Sequence, residues 1–418
     1  MNHNIVTAKF GGTSLADASQ IKKACAIINA DPARKYVVAS APGKRYSEDI
    51  KITDMLYKAH AQAKAGEDFS DPLHDIADRY AKIIDGLGIT FDLDAEINEI
   101  SAKLKEGTTP DYPASRGEYI NSKIIAAYLG RPFVDAAEGI FFTEAGILDE
   151  AKTFSTLGEK LRAYGSDVTG SIVARAVNAD LYENWTDVSG MLSADPRIVK
   201  NPRVIEHITY TELRELSYMG ASVLHEDAVF PVRQAGIPIN IRNTNKPEDA
   251  GTLIAASLPE GVHRPTITGI AGRKGFCSVR VEKSMMNGET GFGAKLLQIF
   301  AQKGIPFEHC PTGIDTISVI VNGAAFESRR EEILREIKTT LAPDFITIEK
   351  GLSAIAVVGA GMVNVKGVAA KIFTALAEAG INIRMIDQGS DELNIIVGVD
   401  DSDYVNAVNA LYNVMIAG

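Results

Sequence analysis

Over Val6 to Leu15, VTAKFGGTSL, the apolar Val6, Ala8 and Phe10 alternate with Thr7 and Lys9, the period of a short half-buried strand. The run ends in Gly11-Gly12, where a missing Cβ lets the backbone turn tightly and approach a ligand. Ile21, Ala24, Cys25 and Ile28 then recur at helical spacing, so strand, turn and helix are predicted in succession, with Thr13 or Ser14 as the helix cap. Further β-rich runs at 36–40, 133–135, 180–185 and 238–242 alternate with helical periods, which implies a mainly parallel sheet covered by helices. Charged amphipathic stretches at 53–65, 73–87 and 93–105 read as a helical insertion spanning 50–113.

Residues 255–265, AASLPEGVHRP, hold two prolines and a glycine without any period, and mark a domain boundary. Beyond it the chain repeats itself: Gly291, Ala294, Lys295, Gly304, Ile305 and Asp315 align with Gly367, Ala370, Lys371, Gly380, Ile381 and Asp391. Each copy reads strand, helix, strand, turn, strand, helix, the order of a ferredoxin-like unit. The second copy ends in a helix over 404–415 with no fourth strand left, whereas 266–271 is a spare strand ahead of the first. The spare strand is expected to complete the second sheet and interlock the two copies. The expected domains are therefore 1–258, 272–350 and 351–418, the last completed by 266–271.

With 418 residues, 45% hydrophobic and 23% charged, the chain exceeds one compact core and calls for two to three domains. The net charge of −11 and the lack of a basic cluster argue against nucleic acid or a membrane surface as partner. Such a chain repels a nucleotide in bulk, so a nucleotide site must gather its positive groups locally. Cys25, Cys277 and Cys310 form no CxxC pair and read as free core thiols, and no apolar run is long enough to span a bilayer. A reducing cytoplasm fits this composition. His207, His225 and His309 lack partners at metal-ligand spacing and read as structural or surface residues.

Four segments concentrate chemistry. Lys9 with Gly11 and Gly12 brings an ammonium and backbone donors to a helix start, a phosphate-binding arrangement; the plain alternative is an ordinary strand-turn-helix with a snorkelling lysine. In SRGEYINSKIIAAYLG, Ser115 and Glu118 have capping-box spacing, and Glu118 could equally recognise a cationic substrate group such as an α-ammonium. GSDVTGS at 165–171 crowds Ser166, Asp167 and Thr169 into a helix start, as a plain N-cap or as a seat for a carboxylate or phosphoryl group. NWTDVSGMLSADPR, 184–197, runs from the only tryptophan into acceptors able to read ribose and adenine, with Arg197 able to meet phosphate.

Together KFGGTS, SRGE, GSDVTGS, WTDVSGMLSADPR and MGASVLH resemble, in order and over nearly the whole chain, the aspartate kinases of the amino-acid kinase family. The resemblance implies a three-layer α/β/α, carbamate-kinase-like catalytic domain with a mainly parallel sheet, followed by two ferredoxin-like ACT regulatory domains. It implies transfer of the ATP γ-phosphoryl to the β-carboxylate of L-aspartate, giving 4-phospho-L-aspartate for lysine, threonine and methionine synthesis. Mg²⁺ would be the metal, with no protein side chain as its ligand. By the same resemblance Lys9 and Asp167 are catalytic, and Gly11, Gly12, Thr13, Glu118 and Ser166 bind substrate. Ser40, Thr186, Asp187, Leu192, Asp195, Arg197 and Ser222 bind ATP. Met286, Asn287, Gly291, Phe292, Phe307, Glu308 and Asp315 hold an amino-acid effector, lysine ahead of threonine, in a homodimer paired through its ACT domains.

Two departures stand out. The family carries a strand, a hairpin and Arg-Gly-Gly before Ser-Asp, whereas here Ala163-Tyr164-Gly165 runs straight into Ser166-Asp167, and Ser222 replaces a nucleotide-side lysine. They leave two alternatives to the kinase reading: a catalytically impaired amino-acid sensor, and a kinase of this fold acting on glutamate, N-acetylglutamate or UMP. Glu118 speaks against an acylated amine, because a carboxylate wants a free ammonium.

Overall fold

The computed structural model describes residues 4–163, 170–221, 224, 226–258, 261–262 and 264–417. The chain forms two units, 1–191 with 206–210 and 224–258, and 192–205 with 211–223 and 259–418.

In the first unit β1 (Val6–Phe10) lies between β2 (Arg34–Ala39) and β3 (Leu181–Thr186), parallel to both. β6 (His207–Thr209), β7 (Ile239–Asn243) and β8 (Thr252–Ala255) extend the sheet to the order β2-β1-β3-β7-β8-β6. Only the β7–β8 pair among these neighbours is antiparallel, so the sheet is mostly but not wholly parallel. The preceding β4 (Met191–Leu192) and β5 (Val204–Ile205) form a separate two-stranded ribbon.

The helix α1 (Ala18–Ala30) buries Ile21, Ala24, Cys25 and Ile28 under the sheet. Its cap is Asp17, which accepts from the Gln20 N–H at 2.9 Å, rather than Thr13 or Ser14; those two lie in a 3₁₀ turn, Gly12–Leu15, that precedes the helix. The insertion is three helices, α2 (Ile52–Ala65), α3 (Ser70–Leu87) and α4 (Leu93–Glu106), whose apolar faces join one core with α1 and α5 (Asp111–Leu129). Because α5 begins at Asp111, Ser115 is already inside it, and its hydroxyl donates back to the Tyr112 carbonyl at 2.8 Å. The Ser115/Glu118 capping box is thus not formed. Nor is 133–135 a strand: it is extended chain leading into the 3₁₀ turn Ala136–Glu138. Completing the helices up to the second unit's repeats are α6 (Glu150–Ala163), α7 (Gly170–Ala176), α8 (Tyr210–Tyr218) and α9 (Glu226–Gln234).

The second unit holds one antiparallel sheet of six strands, ordered β10-β11-β9-β12-β14-β13. Two 14-residue strands, β9 (Gly269–Glu282) and β12 (Phe345–Val358), run through its centre. The front half of β9 pairs with the back half of β12, Ile270 opposite Val357, while its back half pairs with β11 (Thr316–Asn322), Val279 opposite Val319. Register shifts fall between Lys350 and Ala354 of β12, next to Gly351, whose φ of +73° is glycine territory. The short β10 (Phe307–His309) edges one end, and β13 (Met385–Asp387) beside β14 (Asn394–Asp400) the other. His309 Nδ1 nevertheless shares a 2.6 Å hydrogen bond with Asp387 Oδ2.

Two cores flank these register shifts. One packs α10 (Phe292–Gln302), α11 (Gly323–Glu327) and α12 (Arg330–Leu341) on Val279, Val319 and Val321. The other packs α13 (Val368–Glu378) and α14 (Tyr404–Tyr412) on Ile355, Val357 and Val397.

Candidate active site

The chain passes from β1 to β2 on one side and later returns to β3 on the other, so β1 sits where the sheet's winding reverses. Ligands of open α/β sheets bind at the carboxyl ends of strands at such a point. Phe10 is in register with Ala39 and Trp185, which places the Gly11-Gly12 turn, Ser40 and Thr186 on three adjacent strand ends. Backbone bonds tie these ends together. Gly11 N–H donates to the Trp185 carbonyl at 2.9 Å, and Ser40 N–H to the Phe10 carbonyl at 3.1 Å. Below them the Phe10 and Trp185 rings stack with centroids 5.9 Å apart.

Lys9 is half-buried, and a Cβ on Gly11 would stand 3.9 Å from its Nζ. On the other side Gly170, first residue of α7, packs against its stem, since a Cβ there would lie 2.9 Å from Lys9 Cβ and 2.5 Å from the Tyr182 ring. Loss of water lowers the Lys9 pKa, and the Glu118 carboxylate opposes that shift. Glu118 shows the mirror effect: desolvation raises its pKa and Lys9 pulls it back. Its side chain opens to solvent, while the neighbouring protein still strips part of its water. Lys9 and Glu118 therefore feel one another.

The glycine turn is held from behind. Gly43 N–H donates to the Gly12 carbonyl at 2.7 Å, and a Cβ on Gly43 would lie 2.4 Å from Gly12 C. Asn121, fully buried one turn along α5 from Glu118, donates its Nδ2–H to the Ser40 carbonyl at 2.7 Å. Sequence reasoning singled out neither residue. The spacing of Asn121 to Glu118 could have shown that they share a helix face.

Other candidates fall elsewhere. Thr186 Oγ1 donates to Asp187 Oδ1 at 3.2 Å on the first unit. Leu192, Asp195 and Arg197 belong to the second unit, where the Arg197 guanidinium grips Asp195 at 2.6–3.1 Å and holds its carboxyl below the usual range. Ser166, Asp167 and Ser222 lie outside the described residues.

Of the effector candidates, Met286 and Phe292 are buried in the core under α10, whereas Asn287, Gly291, Phe307 and Asp315 are exposed. Glu308 accepts from the Tyr218 hydroxyl at 2.5 Å and faces Arg273 at 4.0 Å. Among the described residues no group of three or more His, Cys, Asp or Glu could hold a metal ion, and no helix is long and apolar enough to cross a membrane.

Comparison with known proteins gives this geometry its family. The amino acid kinase family matches residues 4–243, and an ACT domain matches 355–415. Aspartokinase 3 of Bacillus subtilis is 38% identical over 448 aligned positions, covering 98% of both chains. That aligned length exceeds the 418 residues here, so the relative has segments with no counterpart in this chain. The crystal structure of Clostridium acetobutylicum aspartate kinase, 46% identical, superposes with a TM-score of 0.89 over 99% of this chain and all of its own. E. coli aspartokinase III in complex with lysine and aspartate shares the fold at 22% identity and a TM-score of 0.70, over 99% of this chain and all of its own. The chain belongs to the amino acid kinase family, among its aspartate kinases with a C-terminal ACT region.

Proposed function

We propose that the strand ends around β1 transfer the γ-phosphoryl of ATP to the β-carboxylate of L-aspartate, giving 4-phospho-L-aspartate. The observation that carries this reading is the half-buried Lys9 beside the Gly11-Gly12 turn, on the strand where the sheet's winding reverses. An aspartate carboxylate is ionised at neutral pH and needs no general base, so positioning and charge neutralisation are the whole task. Lys9 neutralises charge on the phosphoryl in transit, and Glu118 holds the aspartate ammonium.

The Gly11 N–H is already engaged by Trp185, so Gly11 serves by leaving room over Lys9, while Gly12 and Thr13 turn their backbone to the phosphates. Ser40, its N–H likewise engaged, acts through its hydroxyl. Asp167 arranges Lys9 and substrate with Ser166, and Thr186, Asp187, Leu192, Asp195, Arg197 and Ser222 serve the nucleotide. Mg²⁺ accompanies ATP and supplies charge neutralisation when bound.

Residues 272–350 and 351–418, the latter completed by 266–271, form the two ACT domains. They bind lysine, with threonine as the second choice, and pair two chains. A groove of about 590 Å³ lined by Ala294, Leu297, Ala301 and Phe307 is an apolar face suited to that pairing. The setting is the cytoplasm, and the product feeds amino-acid biosynthesis.

A hydroxamate assay with ATP, Mg²⁺ and aspartate tests the reaction, with glutamate as the contrasting acceptor. Aspartyl hydroxamate alone is expected. No product above background at saturating substrates, or equal product from glutamate, overturns the assignment.

A further inference from the structure

The helix α3 places an arginine where its amphipathic pattern calls for core. Arg79 is only 4% exposed, between Ile76 and Tyr80, both fully buried. A buried guanidinium must find acceptors. An arginine serving only to bury charge would sit two-pronged on a carboxylate. Arg79 does not: Asp49 is 3.5 Å away and is itself gripped by Arg45, whose Nε and Nη2 donate to it at 2.7 and 2.8 Å.

Arg79 turns its two terminal nitrogens to the backbone instead, its Nε making no hydrogen bond. Nη1 donates to the Ile50 carbonyl at 2.7 Å, and Nη2 to the carbonyls of Gly43 and, at 3.4 Å, Ala16. Ala16 closes the 3₁₀ turn that begins at Gly12, while Gly43 and Ile50 bound the loop after β2. One guanidinium thus clamps the two backbone segments that meet at Gly12 and Gly43. Gly43 accepts from Arg79 and donates onward to Gly12, so the path from Arg79 to the glycine turn has one intermediary.

We propose that Arg79 is a positioning residue for phosphoryl transfer, fixing the Gly12–Thr13 backbone against the loop 43–50 so that its donors stand where the transferring phosphoryl passes. The proposal rests on the kinase reading above and adds to it a residue that touches no substrate. A displacement of the order of 1 Å in such donors is enough to cost about a hundredfold in rate.

The test is steady-state kinetics of Arg79→Met and Arg79→Lys, with thermal unfolding and amide exchange of residues 11–16 and 40–50. Arg79→Met is expected to lower kcat at least tenfold while the KM for aspartate stays within twofold, and to speed exchange in both segments together. Arg79→Lys, able to satisfy some of the same carbonyls, is expected to recover part of the lost kcat. A folded Arg79→Met enzyme with kcat within twofold of wild type overturns the proposal, whatever its unfolding temperature. Gly43→Ala, which keeps Arg79 but forces the crossing open, provides the second arm: it is expected to reproduce the drop in kcat with unchanged aspartate KM, and wild-type kinetics there refute the route through Gly43. Wild-type turnover, measured alongside, tests the kinase reading separately.

Discussion

Gly12 and Gly43 meet backbone to backbone, the Gly43 N–H donating to the Gly12 carbonyl at 2.7 Å. A Cβ added to Gly12 would stand 2.9 Å from the Ala41 carbonyl oxygen and 3.1 Å from Gly43 Cα, rigid atoms that yield only if the loop moves. Gly12→Ala is therefore expected to cost about 1–3 kcal/mol of stability as an overpacked contact. It is also expected to reduce turnover by more than about tenfold, because the displaced atoms are those of the turn itself. Urea unfolding and initial rates on one preparation check both, and a variant as active as wild type would mean that the crossing is scaffolding only.

The Lys9–Glu118 coupling sets a pH dependence. Glu118 binds its proton up to a higher pH than an ordinary glutamate, so the partner for the substrate ammonium disappears as pH falls through a pKa above the ordinary carboxylate range. Lys9, its pKa lowered by burial, loses its charge as pH rises through a value below that of an ordinary lysine. The profile of kcat/KM for aspartate is expected to be a bell with both limbs drawn inward. Stability runs the opposite way: the folded pKa of Glu118 exceeds its unfolded value, so its contribution is present at low pH and declines as pH rises through that window, where the acid limb of activity recovers. Glu118→Gln is expected to flatten the acid limb and raise the aspartate KM at least about tenfold. Lys9→Ala is expected to lower turnover far more than it weakens aspartate binding. A Glu118→Gln profile with the wild-type acid limb contradicts this assignment.

How much of this was readable beforehand follows from what each feature depends on. The β1 strand and the apolar stripes of α1 through α4 are periodic, and periodicity survives in the sequence. Caps are less secure: Asp17 displaces Thr13 and Ser14 because the 3₁₀ turn uses up the residues on which α1 could have started, and Ser115 loses its role because α5 begins a turn earlier. Arg79 was invisible because arginine on an amphipathic helix reads as surface, and only tertiary contacts reveal three carbonyls from two loops around it. Gly43 sits in a loop with no pattern of its own. Of the effector candidates, Met286 and Phe292 share the residue types of a ligand pocket and of a core, and only burial separates the two.

The first sheet also contains a buried ionic cluster that the reaction does not require. Glu183, 3% exposed, accepts from Arg34 Nε at 2.7 Å and from the Trp185 indole N–H at 2.8 Å, with Arg242 at 3.9 Å. Both guanidinium groups also lie over the Trp185 ring, at 5.3 and 4.8 Å. Removing the carboxylate leaves buried positive charge unpaired, so Glu183→Ala is expected to destabilise by about 3–5 kcal/mol, and Glu183→Gln by less because it keeps acceptors. Trp185 is the only tryptophan, so its fluorescence follows unfolding of this unit directly. A loss below about 1 kcal/mol for Glu183→Ala would show that the cluster relaxes or takes up water.

Two phenylalanines of the first repeat separate packing from recognition. Phe292, 3% exposed, packs with Leu296 and Val279 in the core, whereas Phe307, 48% exposed, borders the groove along α10. Phe292→Ala is expected to cost about 3–5 kcal/mol, since it leaves a large cavity in a core that cannot collapse around it. Phe307→Ala is expected to change stability by no more than about 0.5 kcal/mol, because the ring is half in water already. The functional expectation runs the other way. Phe307→Ala is expected to shift the lysine concentration for half-inhibition, or the dimer dissociation constant, by at least about fivefold, while basal turnover stays unchanged. Lysine titration of initial rates and light scattering across protein concentrations read these two effects separately. If Phe307→Ala leaves both at wild-type values, the groove along α10 is neither the effector's seat nor the surface on which two chains pair.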